Sequence, residues 1–457
     1  MALLSVNPTT EDVLQTFEEF SDQQVDAALQ QVHDAQRSWR STSFGERAAR
    51  LQAVARVLRE QKTRLATLAT SEMGKPIVEA EGELEKCAWN CDFYAEHAAS
   101  FLADEHIATN ARESYVAFEP LGVVLAIMPW NFPFWQVIRF AAPALMAGNG
   151  ALLKHASNVP GCAVALEEIF RTAGLPDGIF RTVLVPGSKV EALIGDPRIQ
   201  AVTLTGSSDV GERVASAAGK HLKKQVLELG GSDPFIILAD ADLDAAAATA
   251  VRARNQNNGQ SCIAAKRFIV EEPVGDQFTD KFATAVKALR VGDPMQRDTN
   301  VGPLARGDLR DALAEQVERS VARGARSVVG GHAVNGKGFF YAPTVLDGVK
   351  DDMPAFREET FGPVAAVIRA RDADDAVRLA NDTEYGLGSA LWTADIERAK
   401  ELARRIEAGN VFINGMVASD PRLPFGGVKR SGYGRELGTY GIKEFVNIQT
   451  VWIGPAQ

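Results

Sequence analysis

Hydrophobic and polar positions change their period along this chain, and each change marks an element. From Asp22 to Ala99 the residues Ala, Leu, Glu, Gln and Arg dominate, and Val25, Ala28, Val32 and Ala35 trace one helical stripe. That stretch is expected to be mostly helical, with a break at Gly74-Lys75-Pro76. Tyr115 to Phe118 and Val123 to Met128 read as strands, the second an unbroken apolar run that suits burial on both faces. After Leu145 short apolar runs alternate with helical patterns. Gly150 to Lys154, Thr182 to Val185, Ala201 to Leu204 and Gln225 to Leu229 read as strands, and Cys162 to Ala173, Val190 to Ile194 and Val210 to Ala218 as helices. This rhythm predicts a parallel sheet covered by helices, which takes ligands at the carboxyl ends of its strands. A second run follows the corner Gly230-Gly231. Its expected strands are Pro234 to Leu238, Arg267 to Val270, Ser327 to Val329 and Val364 to Ile368. Its expected helices are Ala241 to Gln256, Ala373 to Ala380 and Ile396 to Ile406. Glu444 to Trp452 reads as a terminal strand with exposed apolar residues, which a neighbouring subunit could pair.

Length and composition narrow the class. A chain of 457 residues holds two or three domains with real cores, and 46% hydrophobic with 24% charged residues is ordinary for a globular protein. A net charge of -10 argues against nucleic acid or an anionic membrane as a general partner. Cys87, Cys91, Cys162 and Cys262 are too few for a disulfide framework, which suits a reducing cytoplasm. The first residues lack a basic segment and a long apolar core, so no secretory signal is expected there. The apolar stretch Leu121 to Met128 is far shorter than the ~20 residues a membrane helix needs. The six histidines are scattered without zinc-type spacing, so no metal is expected.

Candidate chemistry gathers at three polar islands: Pro129-Trp130-Asn131-Phe132-Pro133, Leu227-Glu228-Leu229-Gly230-Gly231, and Asn257-Asn258-Gly259-Gln260-Ser261-Cys262. A thiol, an amide and a carboxylate are the parts that covalent chemistry on a carbonyl needs. Cys262 can add to the carbonyl carbon, its ordinary thiol being partly ionised near neutrality. Asn131 and the Cys262 N–H can hold the oxyanion. Glu228, between two leucines, can carry a raised pKa and activate water. Each also has a plain structural reading: a buried thiol, a turn-capping amide, a paired carboxylate. No G-x-G-x-x-G occurs, yet Gly206 and Ser207 lie between a strand and a helix, where backbone N–H groups suit pyrophosphate.

In these motifs, from about Val6 to Trp452, the chain resembles the aldehyde dehydrogenase superfamily. Trp130 to Arg139, Lys154 to Pro160, Glu228 to Pro234, Cys262 to Arg267 and Phe425 to Glu436 look most like the short bacterial NAD(P)-dependent succinate-semialdehyde dehydrogenases. The resemblance implies an α/β fold, with a Rossmann-type parallel-sheet cofactor domain, an α/β catalytic domain and small oligomerisation strands. On this chain the boundaries fall at 1–102 and 121–230 for the cofactor domain and 231–430 for the catalytic domain, with 103–120 and 431–457 as oligomerisation segments. It implies catalytic roles for Cys262, Glu228 and Asn131. For the cofactor it implies Trp130, Asn131, Lys154, His155, Ser157, Gly206, Ser207, Leu229, Glu359 and Phe361, the last two within Glu358-Glu359-Thr360-Phe361-Gly362-Pro363. Many NAD-preferring relatives carry Glu where this chain has Ser157. A carboxylate ~4 Å from a 2′-phosphate would cost about 4 kcal/mol at an effective dielectric of ~20. Its absence favours NADP, with NAD still possible. The implied substrate is succinate semialdehyde, its distal carboxylate met by Arg139 and Ser419, although Arg139 could instead make a structural salt bridge. The alternatives are a broad NAD-dependent enzyme for other small aldehydes and a CoA-acylating relative, the latter opposed by Glu228. A thiol hydrolase would leave Glu359 and Phe361 unexplained, and a binding scaffold would have no need of Cys262, Glu228 and Asn131. Homodimers or homotetramers are implied.

Overall fold

The computed structural model describes residues 2–454. The helical stretch near the N-terminus is four helices, Asp22–Trp39, Phe44–Glu60, Lys62–Met73 and Ile77–Phe101. The first two start at capping boxes, Ser21 with Gln24 and Ser43 with Glu46. The third stops at Gly74, whose φ of 82° is the left-handed cap that glycine adopts without strain. Ahead of them an antiparallel hairpin, Ala2–Val6 with Val13–Glu18, escaped the sequence reading.

Two large sheets form the body. In the first, Phe180–Thr182, Gly150–His155, Val123–Met128, Ile199–Thr205 and Lys224–Glu228 run parallel in that spatial order. The chain starts at the central strand, winds outward one way, then returns and winds the other way. The order therefore reverses between Val123–Met128 and Ile199–Thr205, which is where doubly wound sheets open a ligand crevice. Period two decides the packing of the central strand. Val124, Ala126 and Met128 enter one core, while Val123, Leu125 and Ile127 enter another beneath Ala28, Leu29 and Val32. Gly432–Tyr433 closes the sheet antiparallel to Leu227 and Glu228, so the segment after 431 reaches the site before it reaches the terminal strand. The strand expected over Thr182 to Val185 lies slightly earlier, at Phe180–Thr182.

The second sheet has seven strands. Asp233–Ile237, Ala265–Glu271, Thr344–Asp347, Val364–Ala370, Gly388–Trp392 and Asn410–Ile413 are parallel, and Arg326–Val329 is antiparallel at one edge. The same alternation splits Phe235, Ile237, Phe268 and Val270 from Ile236 and Ile269 into separate cores. Gly230–Gly231 joins the end of Lys224–Glu228 to the start of Asp233–Ile237. The carboxyl edge of the first sheet thus meets the amino edge of the second.

The third assembly pairs Val446–Ile453 with Glu113–Pro120, and Glu113–Pro120 with Glu105–His106. The terminal strand is therefore paired within its own chain, which corrects the expectation that a neighbour supplies its partner. Among the described residues its outer edge has no strand beside it, and Ile448 and Trp452 are exposed.

Candidate active site

Cys262 lies in the turn between the helix Leu243–Asn255 and the strand Ala265–Glu271. Three consecutive left-handed residues build that turn: Asn257 (φ 56°), Asn258 (φ 57°) and Gly259 (φ 72°). Such a run is costly and is held by specific bonds. Asn257 Nδ2 donates to Asn131 O at 2.8 Å and Gln260 O at 2.9 Å, and its backbone N–H donates to Glu79 Oε2 at 2.6 Å. Asn258 Nδ2 donates to the carbonyls of Gly74 and Pro303. A side chain at Gly259 would overlap the Gly362 carbonyl. Lys266, wholly buried, donates to the carbonyls of Ser261, Cys262 and Ala264 and sits 3.5 Å from Glu359 Oε1.

The half-buried Cys262 side chain lines two cavities, each of about 250 Å³. The first opens at the strand-order switch and is lined by Trp130, Asn131, Gly206, Ser207, Leu229, Glu359 and Phe361, so the structure gathers these seven residues around one space. Ser207 caps the helix Ser208–Lys220 without a side-chain bond, so its hydroxyl and the first N–H groups of that helix are free for a phosphate. Trp130 and Phe361 meet edge to face, centroids 5.7 Å apart. Glu359 Oε1 accepts from the Gly231 N–H at 3.1 Å, and its second oxygen is left for hydroxyls. Lys154 and Ser157 lie at the end of Gly150–His155, beyond this cavity, with Ser157 exposed. His155 is a correction. Its ring is buried, Nδ1 accepts from the Ala156 N–H and Nε2 donates to Pro133 O, so no donor remains for a cofactor. Burial lowers its pKa to about 4, which keeps it neutral in that role.

The second cavity is lined by Cys262, Phe132, Trp135, Arg139, Ser419 and Phe425, together with Glu79, Glu83 and Lys86. Arg139 comes from the fully buried helix Trp135–Met146. Its guanidinium is ion-paired with the buried Glu436, donates to Thr205 Oγ1 at 3.4 Å and lies 5.0 Å from the Phe425 ring centroid. Both expected roles are therefore present in one side chain: it lines the thiol's cavity and makes a structural salt bridge. Lys86 Nζ donates to Ser419 Oγ at 2.6 Å and lies 4.4 Å from the Trp135 ring centroid.

Electrostatics alters the expectation for Cys262 and agrees in direction with that for Glu228. Burial pushes the Cys262 thiol pKa up to about 12 against the pull of Arg139 and Lys266. It is thus a weaker acid than its sequence neighbourhood implied. Burial, then Glu436, hold Glu228 well above the usual carboxylate range, against Arg139 and Arg435. Both Glu228 oxygens lack partners, and one lies where a side chain on Gly426 would touch it, so Glu228 lines neither cavity in this conformation. Asn131 Nδ2 donates to Gln260 O at 3.0 Å, which leaves its second amide hydrogen for an oxyanion.

Sequence reasoning passed over Lys86, Glu436 and Lys266 as site residues. Lys266 had a signal, a charge inside an apolar run; Lys86 had none, being one polar residue among many in a long helix.

Two cavities that meet at one thiol, the first at the switch point of a doubly wound sheet, have the layout of an enzyme that brings a cofactor and a second molecule together. The chain belongs to the aldehyde dehydrogenase family, whose sequence profile matches residues 2–451. It is 53% identical over 453 residues to a protein of Synechocystis sp. named a probable NADP(+) succinate-semialdehyde dehydrogenase, covering 99% of this chain and 100% of that one. A Mycobacterium tuberculosis protein, named NADP(+) succinate-semialdehyde dehydrogenase 1, is 52% identical over 456 residues, with 99% and 100% covered. The crystal structure of succinic semialdehyde dehydrogenase from Streptococcus pyogenes with NADP+ superposes with a TM-score of 0.97 at 38% identity, covering 99% of this chain and 100% of that one. Among the described residues no helix is long and apolar enough to cross a membrane.

Proposed function

We propose that this chain oxidises succinate semialdehyde to succinate and reduces NADP. The carrying observation is the cavity that Cys262 shares with two cations, Arg139 and Lys86, and the Ser419 hydroxyl, a set that suits an aldehyde with an anionic far end. Full-length likeness to proteins named for that aldehyde supports the reading. Cys262 releases its thiol proton to solvent, the sulfur adds to the carbonyl carbon, and the oxyanion of the thiohemiacetal takes an N–H from Asn131 and the Cys262 backbone. Bound NADP supplies the acceptor for the hydride that leaves this tetrahedral carbon. The remaining thioester on Cys262 is attacked by water, whose proton passes to Glu228 after that side chain turns toward the thiol. Succinate leaves and the sulfur is freed. The tight Glu228 environment, with Glu436 beside it, favours a carboxylate that gains a proton readily.

NADP is favoured because Ser157 places no carboxylate near a 2′-phosphate, and Lys154 stands three residues before it. The first sheet with its helices would be the cofactor-binding unit and the second the catalytic one. Four unpaired cysteines suit a reducing, cytoplasmic setting. Copies associate as homodimers or homotetramers through the free edge of Val446–Ile453.

The test is the initial rate of reduced nicotinamide formation with succinate semialdehyde and with butanal, each with NADP and NAD. A kcat/KM at least tenfold higher for succinate semialdehyde with NADP is expected. Equal values for the two aldehydes would overturn the substrate, and a clear NAD preference would overturn the cofactor.

A further inference from the structure

Two cations line the substrate cavity, and only one has its charge met. Arg139 is paired with buried Glu436 and shares the influence of Glu228, so its positive charge is already answered by carboxylates of the protein itself. Lys86 differs. Among the described residues it makes no ion pair: its ammonium donates to Ser419 Oγ and rests against the face of Trp135. The nearby Asp420 is held by Arg422 through two bonds, at 2.9 and 2.6 Å, and Glu83 is ion-paired with buried Lys75 while accepting from the Phe134 and Trp135 N–H groups. A partly buried ammonium with one neutral hydroxyl partner and an aromatic face is short of an anion. Lys86, Ser419 and Arg139 line the substrate cavity alone, whereas Cys262 also lines the cofactor cavity. An aldehyde carbon at the thiol therefore leaves the rest of the molecule in the part of the cavity that Lys86, Ser419 and Arg139 line.

We infer that Lys86, steered by Ser419 and Trp135, is a further binding group for the distal carboxylate of the substrate, beside Arg139. This rests on the substrate class proposed above. The charges that face Lys86 are consistent with it. Burial, then Arg139, lower its pKa to about 8, against Cys87, Asp420 and Glu83, so the ammonium persists at neutral pH and is lost above that value. A group whose cationic form is disfavoured by burial regains it when a carboxylate arrives.

The experiment compares wild type, Lys86→Met and Lys86→Arg, with succinate semialdehyde and butanal as substrates. Lys86→Met is expected to raise KM for succinate semialdehyde roughly ten- to a hundredfold more than KM for butanal, the range that loss of one charge-assisted hydrogen bond produces. Lys86→Arg should restore most of the difference. In wild type, KM for succinate semialdehyde should climb above about pH 8, as Lys86 loses its proton, while that for butanal stays flat. Equal KM changes for both aldehydes, or none, would overturn the role of Lys86. Inhibition of butanal oxidation by succinate separates this from the substrate reading. Even if wild type shows no preference for succinate semialdehyde, a succinate inhibition constant at least tenfold weaker in Lys86→Met supports the anion site, and an unchanged constant removes it. If Lys86→Met fails to fold, the wild-type pH dependence of succinate inhibition decides, with no weakening above about pH 8 counting against it.

Discussion

At the residue scale, the decisive quantity is the acidity of Cys262. Its pKa near 12 means that the thiolate is a minor form at neutral pH and grows about tenfold with each pH unit. The sign is that of a buried acid whose charged form is disfavoured, so alkalinity favours reaction. Alkylation of Cys262 by iodoacetamide, followed by mass spectrometry in the protein without added cofactor, should therefore accelerate steadily from pH 7 to pH 10. A plateau reached by about pH 9.5 would show that the thiol ionises as an ordinary cysteine does, with a pKa of about 8.5. The local sequence disclosed that the residue is a nucleophile candidate. It did not disclose its acidity, because that depends first on burial and then on the charges of Arg139, Lys266 and Glu359, all set by the tertiary fold.

At the element scale, the terminal strand shows how a local pattern is read correctly and its partner misjudged. Glu444 to Trp452 carried a strand signal, and the structure has Val446–Ile453 there. Its partner is Glu113–Pro120 of the same chain, and the apolar side chains Ile448 and Trp452 remain exposed beside a free edge. An edge of that kind invites a second chain. The double change Ile448→Glu and Trp452→Glu should shift the protein to monomer mass in light scattering, while circular dichroism stays native. Unchanged mass would place the interface elsewhere. The strands Thr344–Asp347, Gly388–Trp392 and Asn410–Ile413 were not anticipated, being four or five residues long with no alternation to mark them.

At the scale of the whole molecule, the site exists because two sheets meet edge to edge. Glu228 ends a strand of the first, Cys262 precedes a strand of the second, and Gly230–Gly231 is the joint between the sheets. In the proposed reaction, hydrolysis of the thioester draws on a group from each sheet. Glu228→Gln should keep the first half of the reaction and slow the second by roughly 10²- to 10⁴-fold, the span of general-base contributions. Stopped-flow would then show a burst of one reduced nicotinamide per active site followed by slow turnover, and mass spectrometry would find the acyl group on Cys262. Steady-state turnover at the wild-type rate without a burst would remove Glu228 from this step.

The sequence by itself determined the alternation that becomes two helix-covered sheets, the glycine corner between them, and the residue types, thiol, amide and carboxylate, that stand near that corner. These are local: period two and period 3.6 follow from backbone geometry, and a residue type sets what chemistry its side chain can perform. Tertiary structure alone decided how those groups are tuned. Lys86 and Ser419 are 333 residues apart, Arg139 meets Glu436 across most of the chain, and His155 turns its ring to Pro133 instead of outward. Pairing of distant charges and exclusion of water depend on which surfaces the fold brings together, and no local pattern carries that information.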